Sequence, residues 1–167
     1  MMFKFLSKNF YISFSIVTLI FILDRLSKIS VIELNKNSLG SEIFSSAYLN
    51  IVLVWNKGIA FGLFSFDESN LYNILTLLIS IIVVILVIMS VKSKGFKRYS
   101  LIMIVGGALG NLYDRVFFYA VPDFIDFHIG NFHWFIFNIA DIFITIGVFF
   151  MILFELIGVN KENHEKI

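Results

Sequence analysis

Apolar residues along the chain fall into four long runs separated by shorter, mixed segments. They extend from about Phe10 to Ile32, Leu71 to Val91, Tyr99 to Phe118 and Phe135 to Gly158. About 20 apolar residues in helical conformation cross the hydrocarbon core of a bilayer, so each run predicts a transmembrane helix. The second run has no charged residue, whereas each of the other three carries a polar cluster toward one end. Asp24, Arg25 and Lys28 lie in the last third of the first run; Asn111, Asp114 and Arg115 close the third; Asn138 and Asp141 lie near the start of the fourth. Between the first two runs, Tyr48–Trp55 (YLNIVLVW) is rich in β-branched and aromatic residues and predicts a strand, with Asn56, Gly58 and Gly62 as turn residues after it. The expected fold is a membrane all-α bundle of four transmembrane helices with a small extracytoplasmic β-sheet in the loop between helices 1 and 2. No repeat, linker or low-complexity stretch divides residues 1–167, and one membrane domain is expected.

Composition agrees. Hydrophobic residues make up 59% of the chain and charged residues 15%, against about 45–50% and about a quarter in soluble domains. So few charges cannot coat a water-soluble surface. A net charge of +1 gives no reason to expect a nucleic-acid partner. The absence of cysteine excludes disulfides, thiolate chemistry and cysteine metal sites. Lys4 and Lys8 ahead of the first run imitate a secretory signal. The run is too long for one and lacks a small-x-small cleavage site, so it reads as a retained helix. Lys92, Lys94, Lys97 and Arg98 crowd the connection between the second and third runs, which the positive-inside rule places in the cytoplasm. The N-terminus and the tail with Lys161 and Lys166 then share that side, as four crossings require. The polar ends of the helices, with Asn56 and Asp123 in loops, should meet at the opposite, extracytoplasmic surface.

Ionisable residues within a span cost several kcal/mol at mid-bilayer and less near the interface, so they mark either a functional path or a snorkelling charge. Arg25 reads as a side chain reaching for headgroups. Asp24 and Lys28 share one helix face and read as support for a site, whereas Lys36, Glu42, Lys57, Asp67 and Glu68 read as solvated loop charges. In GGALGNLYDR (Gly106–Arg115) the glycines admit close helix packing, which leaves Asn111, Asp114 and Arg115 unexplained. An Asp–Arg pair there would position a headgroup or hold carboxylates in place. Asp123 in VPDFIDFH and Asp141 in FNIAD approach the same boundary. Two carboxylates in contact share a proton; one then deprotonates water while the other acid polarises a carbonyl. That chemistry hydrolyses a peptide without metal, serine or cysteine. Asp126 competes with Asp123 for the role. His128 and His133 raise a zinc site with Asp123 or Asp126, but the spacing is weak and no third ligand is obvious, so no metal and no cofactor are expected. No base accompanies Ser27, Ser30 or the loop serines. An ion path would spread polar groups through the membrane depth, a scaffold would leave the carboxylates unexplained, and a Mg²⁺ phosphotransferase needs carboxylates at closer helical spacing.

DRLSK (Asp24–Lys28), NKGIAFG (Asn56–Gly62), GGALGNLYDR, VPDF and FNIAD follow one another along the chain. In these motifs, and over nearly its whole length, the chain resembles the lipoprotein signal peptidases (signal peptidase II), a bacterial family of membrane aspartyl proteases. The resemblance implies an endopeptidase that removes the signal peptide from diacylglyceryl-modified prolipoproteins, cutting before the lipidated cysteine. It implies Asp123 and Asp141 as catalytic residues. Asn56, Asn111, Arg115 and Asn138 would bind or orient substrate or support the pair; Asp24, Lys28 and Asp114 would stabilise the site; Gly110 would allow close helix packing. Pro122 would hold the chain extended just before Asp123. The expected setting is the bacterial cytoplasmic (inner) membrane, multi-pass, with both termini cytoplasmic, lipid and prolipoprotein as partners, and a monomeric enzyme. Phe117, Phe118, Tyr119, Phe132, Trp134 and Phe135 suit an interfacial aromatic belt.

Overall fold

The computed structural model describes residues 8–37, 43–58 and 69–164. In chain order it contains α1 (Lys8–Asn37), β1 (Phe44–Ser45), β2 (Leu49–Asn56), α2 (Ser69–Lys92), α3 (Gly95–Phe118), β3 (Val121–Ile129), β4 (Phe132–Phe137) and α4 (Ile139–His164). Each apolar run lies largely within one helix. Among the described residues, three stretches are long and apolar enough to cross a membrane: Asn70–Lys92, Gly95–Phe118 and Ile139–Ile157. In α1 the apolar run from Phe10 to Leu23 meets charges at Asp24, Arg25 and Lys28. Ile74, Leu77, Ile81, Val84 and Ile88 of α2 lie exposed, a surface suited to hydrocarbon rather than water.

α3 is the central helix and packs against α1, α2 and α4. Lipid tails are as apolar as leucine, so helices in a bilayer associate through close van der Waals fit at small residues. Glycines supply that fit on both sides of α3. A Cβ on Gly106 would meet Ile20 of α1 at 2.9 Å, and one on Gly107 would run into the Ala140 carbonyl and Ile144 of α4. Gly147 of α4 in turn lies against Ile104 and the Ser100 carbonyl of α3.

The four strands form one antiparallel sheet in the order β1-β2-β3-β4. β2 meets β3 with Asn56 opposite Val121 and Val54 opposite Asp123. β3 and β4 form a hairpin in which His128 faces His133, closed by Gly130 at φ +59° and Asn131. A two-residue turn with a left-handed glycine matches the twist of the strands it joins. Tyr119, at φ 56°, redirects the chain from α3 into β3, and Pro122 then lies within the strand opposite Trp55.

The sheet departs from expectation in its membership. Besides the predicted strand, displaced by one residue to Leu49–Asn56, it takes in both strands between α3 and α4, a region read from sequence as a connecting loop. Asn56 and Asp123 therefore lie on paired strands. Phe135–Phe137 belongs to β4, so the fourth helix starts at Ile139 rather than near Phe135. Aromatic and isoleucine residues suit either conformation locally; pairing with β3 decides between them.

Gly107→Ala should lower stability by about 1–3 kcal/mol, because the new methyl meets backbone that cannot step aside. Gly106→Ala should cost less, since Ile20 presents only side-chain atoms. Thermal unfolding of both variants in detergent checks the order; equal melting temperatures would refute it.

Candidate active site

The polar residues of α1, α3 and α4 converge where the bundle meets the sheet. Asp24 and Lys28, one turn apart, join through Nζ and Oδ2 at 2.9 Å. Lys28 also donates to Asn111 Oδ1 at 2.9 Å and Asp114 Oδ2 at 2.7 Å. An ammonium has three N–H donors, and all three are used on a side chain only 1% exposed. Arg25 completes the group, pairing with Asp114 through Nη1 at 2.6 Å and Nη2 at 2.7 Å and with Asp24 at 3.0 Å. Its guanidinium also lies 4.9 Å from the centroid of the Tyr113 ring. Two carboxylates and two cations thus neutralise one another, a condition for burying charge without a large net penalty.

This arrangement corrects two expectations. Arg25 does not snorkel outward but bridges Asp24 and Asp114. Asp114 does not pair with Arg115, because adjacent residues on a helix point in different directions. Asp114 turns to α1, while Arg115 donates to the Asn111 carbonyl at 3.2 Å and the Gly58 carbonyl at 3.0 Å. The overlooked signal for Arg25 was its place in the same polar turn as Asp24 and Lys28.

The start of α4 is built by a reciprocal cap. Asn138 Oδ1 accepts from the Asp141 amide at 3.1 Å, and Asp141 Oδ2 accepts from the Asn138 amide at 3.2 Å, which satisfies two backbone donors left open by the first turn. A third, the Ala140 amide, donates to Asp24 Oδ1 at 3.0 Å. Asp24 reaches it because Gly110 has no side chain: a Cβ there would lie 2.5 Å from Asp24 Oδ2. Gly110 therefore makes room for a carboxylate as well as for a helix.

Asp123 and Asp141 each accept two N–H groups. Asp123 receives Asn56 Nδ2 at 2.9 Å and Asn138 Nδ2 at 2.6 Å. Asp141 receives Asn111 Nδ2 at 2.8 Å besides the Asn138 amide. Lys28 can only donate, so its bond to Asn111 Oδ1 turns the Asn111 amide nitrogen toward Asp141. Asn138 is oriented likewise by its cap and bonds both acids. The acids line one cavity of about 420 Å³ together with Asn56, Asn111 and Arg115, walled by Ile79, Ile144 and Val148. Burial, and then the neighbouring Asp141 charge, push Asp123 up to about 6; the Asn56 and Asn138 donors and Lys28 act in the opposite direction.

Asp126, the competing acid, bonds instead to His133 Nδ1 at 2.8 Å and lies 3.4 Å from the Asn50 amide nitrogen. Gly62 of the NKGIAFG motif lies outside the described residues, as do Glu42, Asp67, Glu68, Lys4 and Lys166.

A family model described as signal peptidase (SPase) II matches residues 16–157. The chain belongs to the signal peptidase II family. It is 49% identical over 159 residues to the lipoprotein signal peptidase of Pelagibacter ubique, covering 95% of this chain and 96% of that protein. Identity to the lipoprotein signal peptidase of Anaplasma phagocytophilum is 43% over 135 residues, covering 80% and 85%. Two solved structures, each described as a bacterial membrane enzyme studied by the in meso method, are similar in fold. One, at 2.3 Å, has a TM-score of 0.68 at 31% identity and covers 93% of this chain and 91% of its own. The other, at 1.9 Å, has a TM-score of 0.67 at 34% identity and covers 84% and 90%.

The position of Asp123 carries a stability cost of definite sign. The folded chain keeps this proton to about pH 6, whereas an unfolded aspartate releases it near pH 4. Between those values the native state binds more protons, so Asp123 lowers stability as pH rises from about 4 to 6, and the loss persists above. Asp123→Asn has no charge to bury and should flatten that slope in melting curves from pH 4 to 8. An unchanged slope would refute the assignment.

Proposed function

We propose that the protein is an aspartic endopeptidase that removes signal peptides from diacylglyceryl-modified prolipoproteins, cleaving before the lipidated cysteine with water activated by Asp123 and Asp141. Family membership supports a protease acting on prolipoproteins. The observation that carries the finer reading is the placement of both acids in one cavity, each held by two N–H donors. In the proposed reaction, one carboxylate takes a proton from water as the water oxygen attacks the scissile carbonyl carbon. The other, protonated, acid donates to the carbonyl oxygen. Collapse of the tetrahedral intermediate breaks the C–N bond, and a proton passes to the leaving amine. A buried Arg115 Nε without a hydrogen-bond partner supplies a donor to a substrate carbonyl, and Asn56, Asn111 and Asn138 hold the acids in place.

In this reading α1 makes a fourth crossing, both termini are cytoplasmic and the site lies at the extracytoplasmic face. Lys92, Lys94, Lys97 and Arg98, around the α2–α3 connection, support that orientation by the positive-inside rule. A site at the interface also suits a substrate whose acyl chains stay in the bilayer while its scissile bond meets water.

Cleavage of a diacylglyceryl-modified prolipoprotein by purified protein tests the proposal. Asp123→Asn and Asp141→Asn should each lose about 10²–10⁴-fold or more in kcat while remaining folded; retained activity removes that residue from the mechanism. The pH profile of kcat/KM should be bell-shaped. Asn56→Ala removes a donor that favours the charged form of Asp123, so the limb reporting Asp123 should move to higher pH. A limb that stays or moves lower contradicts the role of Asn56. EDTA should leave turnover intact at temperatures well below the melting point.

A further inference from the structure

Asp126, His128 and His133 form a second polar cluster on the β3–β4 hairpin, distinct from the two acids in the cavity. Three positions separate Asp126 from Asp123, so strand alternation turns it to the other face of the sheet. His128 and His133 stand opposite each other, with ring centroids 5.0 Å apart and planes within 19°. His133 Nδ1 lies 2.8 Å and 3.0 Å from the two Asp126 oxygens. One nitrogen or oxygen from each of the three residues falls within 4.8 Å of the other two. Asp126 is only 6% exposed, and His128 Nδ1 is buried with no hydrogen-bond partner. A buried polar atom without a partner is uncommon and calls for an explanation such as a bound water or ion.

We propose that Asp126, His128 and His133 bind a divalent transition-metal ion of the Zn²⁺ class. Two imidazoles and a carboxylate are a donor set for zinc; calcium and magnesium prefer oxygen ligands. Ligands at zinc distances in a tetrahedron lie about 3.3 Å apart, close to the His133–Asp126 separation. His133 is half exposed, and its open side leaves a fourth position for water. The ion cross-links the β3–β4 hairpin, which connects Asp123 in β3 to Asn138 just after β4. Its role is to stiffen the hairpin rather than to take part in hydrolysis.

Full-length, tag-free protein in detergent, freed of metal by chelation and dialysed, is titrated with Zn²⁺ by calorimetry and with Co²⁺ by visible absorption. One ion per chain and the visible bands of a low-coordinate Co²⁺ site are expected. His133→Gln at the exposed position, and separately His128→Gln, should each weaken binding by at least about 100-fold. His164→Gln, at the remaining histidine, should leave it unchanged. Zn²⁺ should raise the melting temperature of wild type but not of His133→Gln. No saturable binding by folded wild type, binding that survives both hairpin substitutions, or loss of binding in His164→Gln would overturn the proposal.

Discussion

A buried ammonium on α1 organises the site end of the molecule. Lys28 has three hydrogens to place and no water to receive them, so its environment must provide three acceptors. It finds Asp24 on its own helix and Asn111 and Asp114 on α3. Satisfying that one group docks α1 against α3 in a single register. Arg25 then balances the second carboxylate, and the charged cluster becomes neutral. Removing either cation would leave two buried carboxylates with a single cation between them, which is far more costly than losing an exposed ion pair.

The same cluster extends to α4 and the sheet. Asp24 caps the Ala140 amide, so a charge on α1 helps set where α4 begins. Asn111 takes its orientation from Lys28 and passes it to Asp141; Asn138 uses one end of its amide for the cap and the other for Asp123. Both proposed catalytic acids are thus aimed by side chains whose own orientations are decided elsewhere. Such preorganisation matters for hydrolysis because the acids must hold water and a carbonyl at fixed geometry.

Burial of Asp123 is a cost in stability and a gain in chemistry. A carboxyl that holds its proton to about pH 6 can act as an acid near neutrality, which an exposed aspartate cannot do. The asparagines that donate to it restrain the shift so that the charged form remains accessible.

The helices were legible because each depends on a local property, a long apolar run; in three of them that run is of membrane-crossing length. The Asp24–Lys28 contact was legible from its i,i+4 spacing, and the convergence of Asp123 and Asp141 on one cavity from the shared end of their segments together with the family motifs. The contribution of β3 and β4 was not, because VPDFIDFHI and FHWFIF become strands through pairing with each other and with β2. Arg25 was misread for a similar reason: its partner Asp114 lies 89 residues away, and the alternative of reaching the headgroups is equally compatible with its local sequence. For His128 and His133 the sequence leaves open whether Asp123 or Asp126 joins them; the hairpin puts Asp126 beside His133. The sequence by itself determined which segments would be helical and which residue types would be available for chemistry, because these follow from local composition. Only the tertiary structure decided which partner each polar group finds, since burial forces every charge and amide to be satisfied by whatever the fold places within reach.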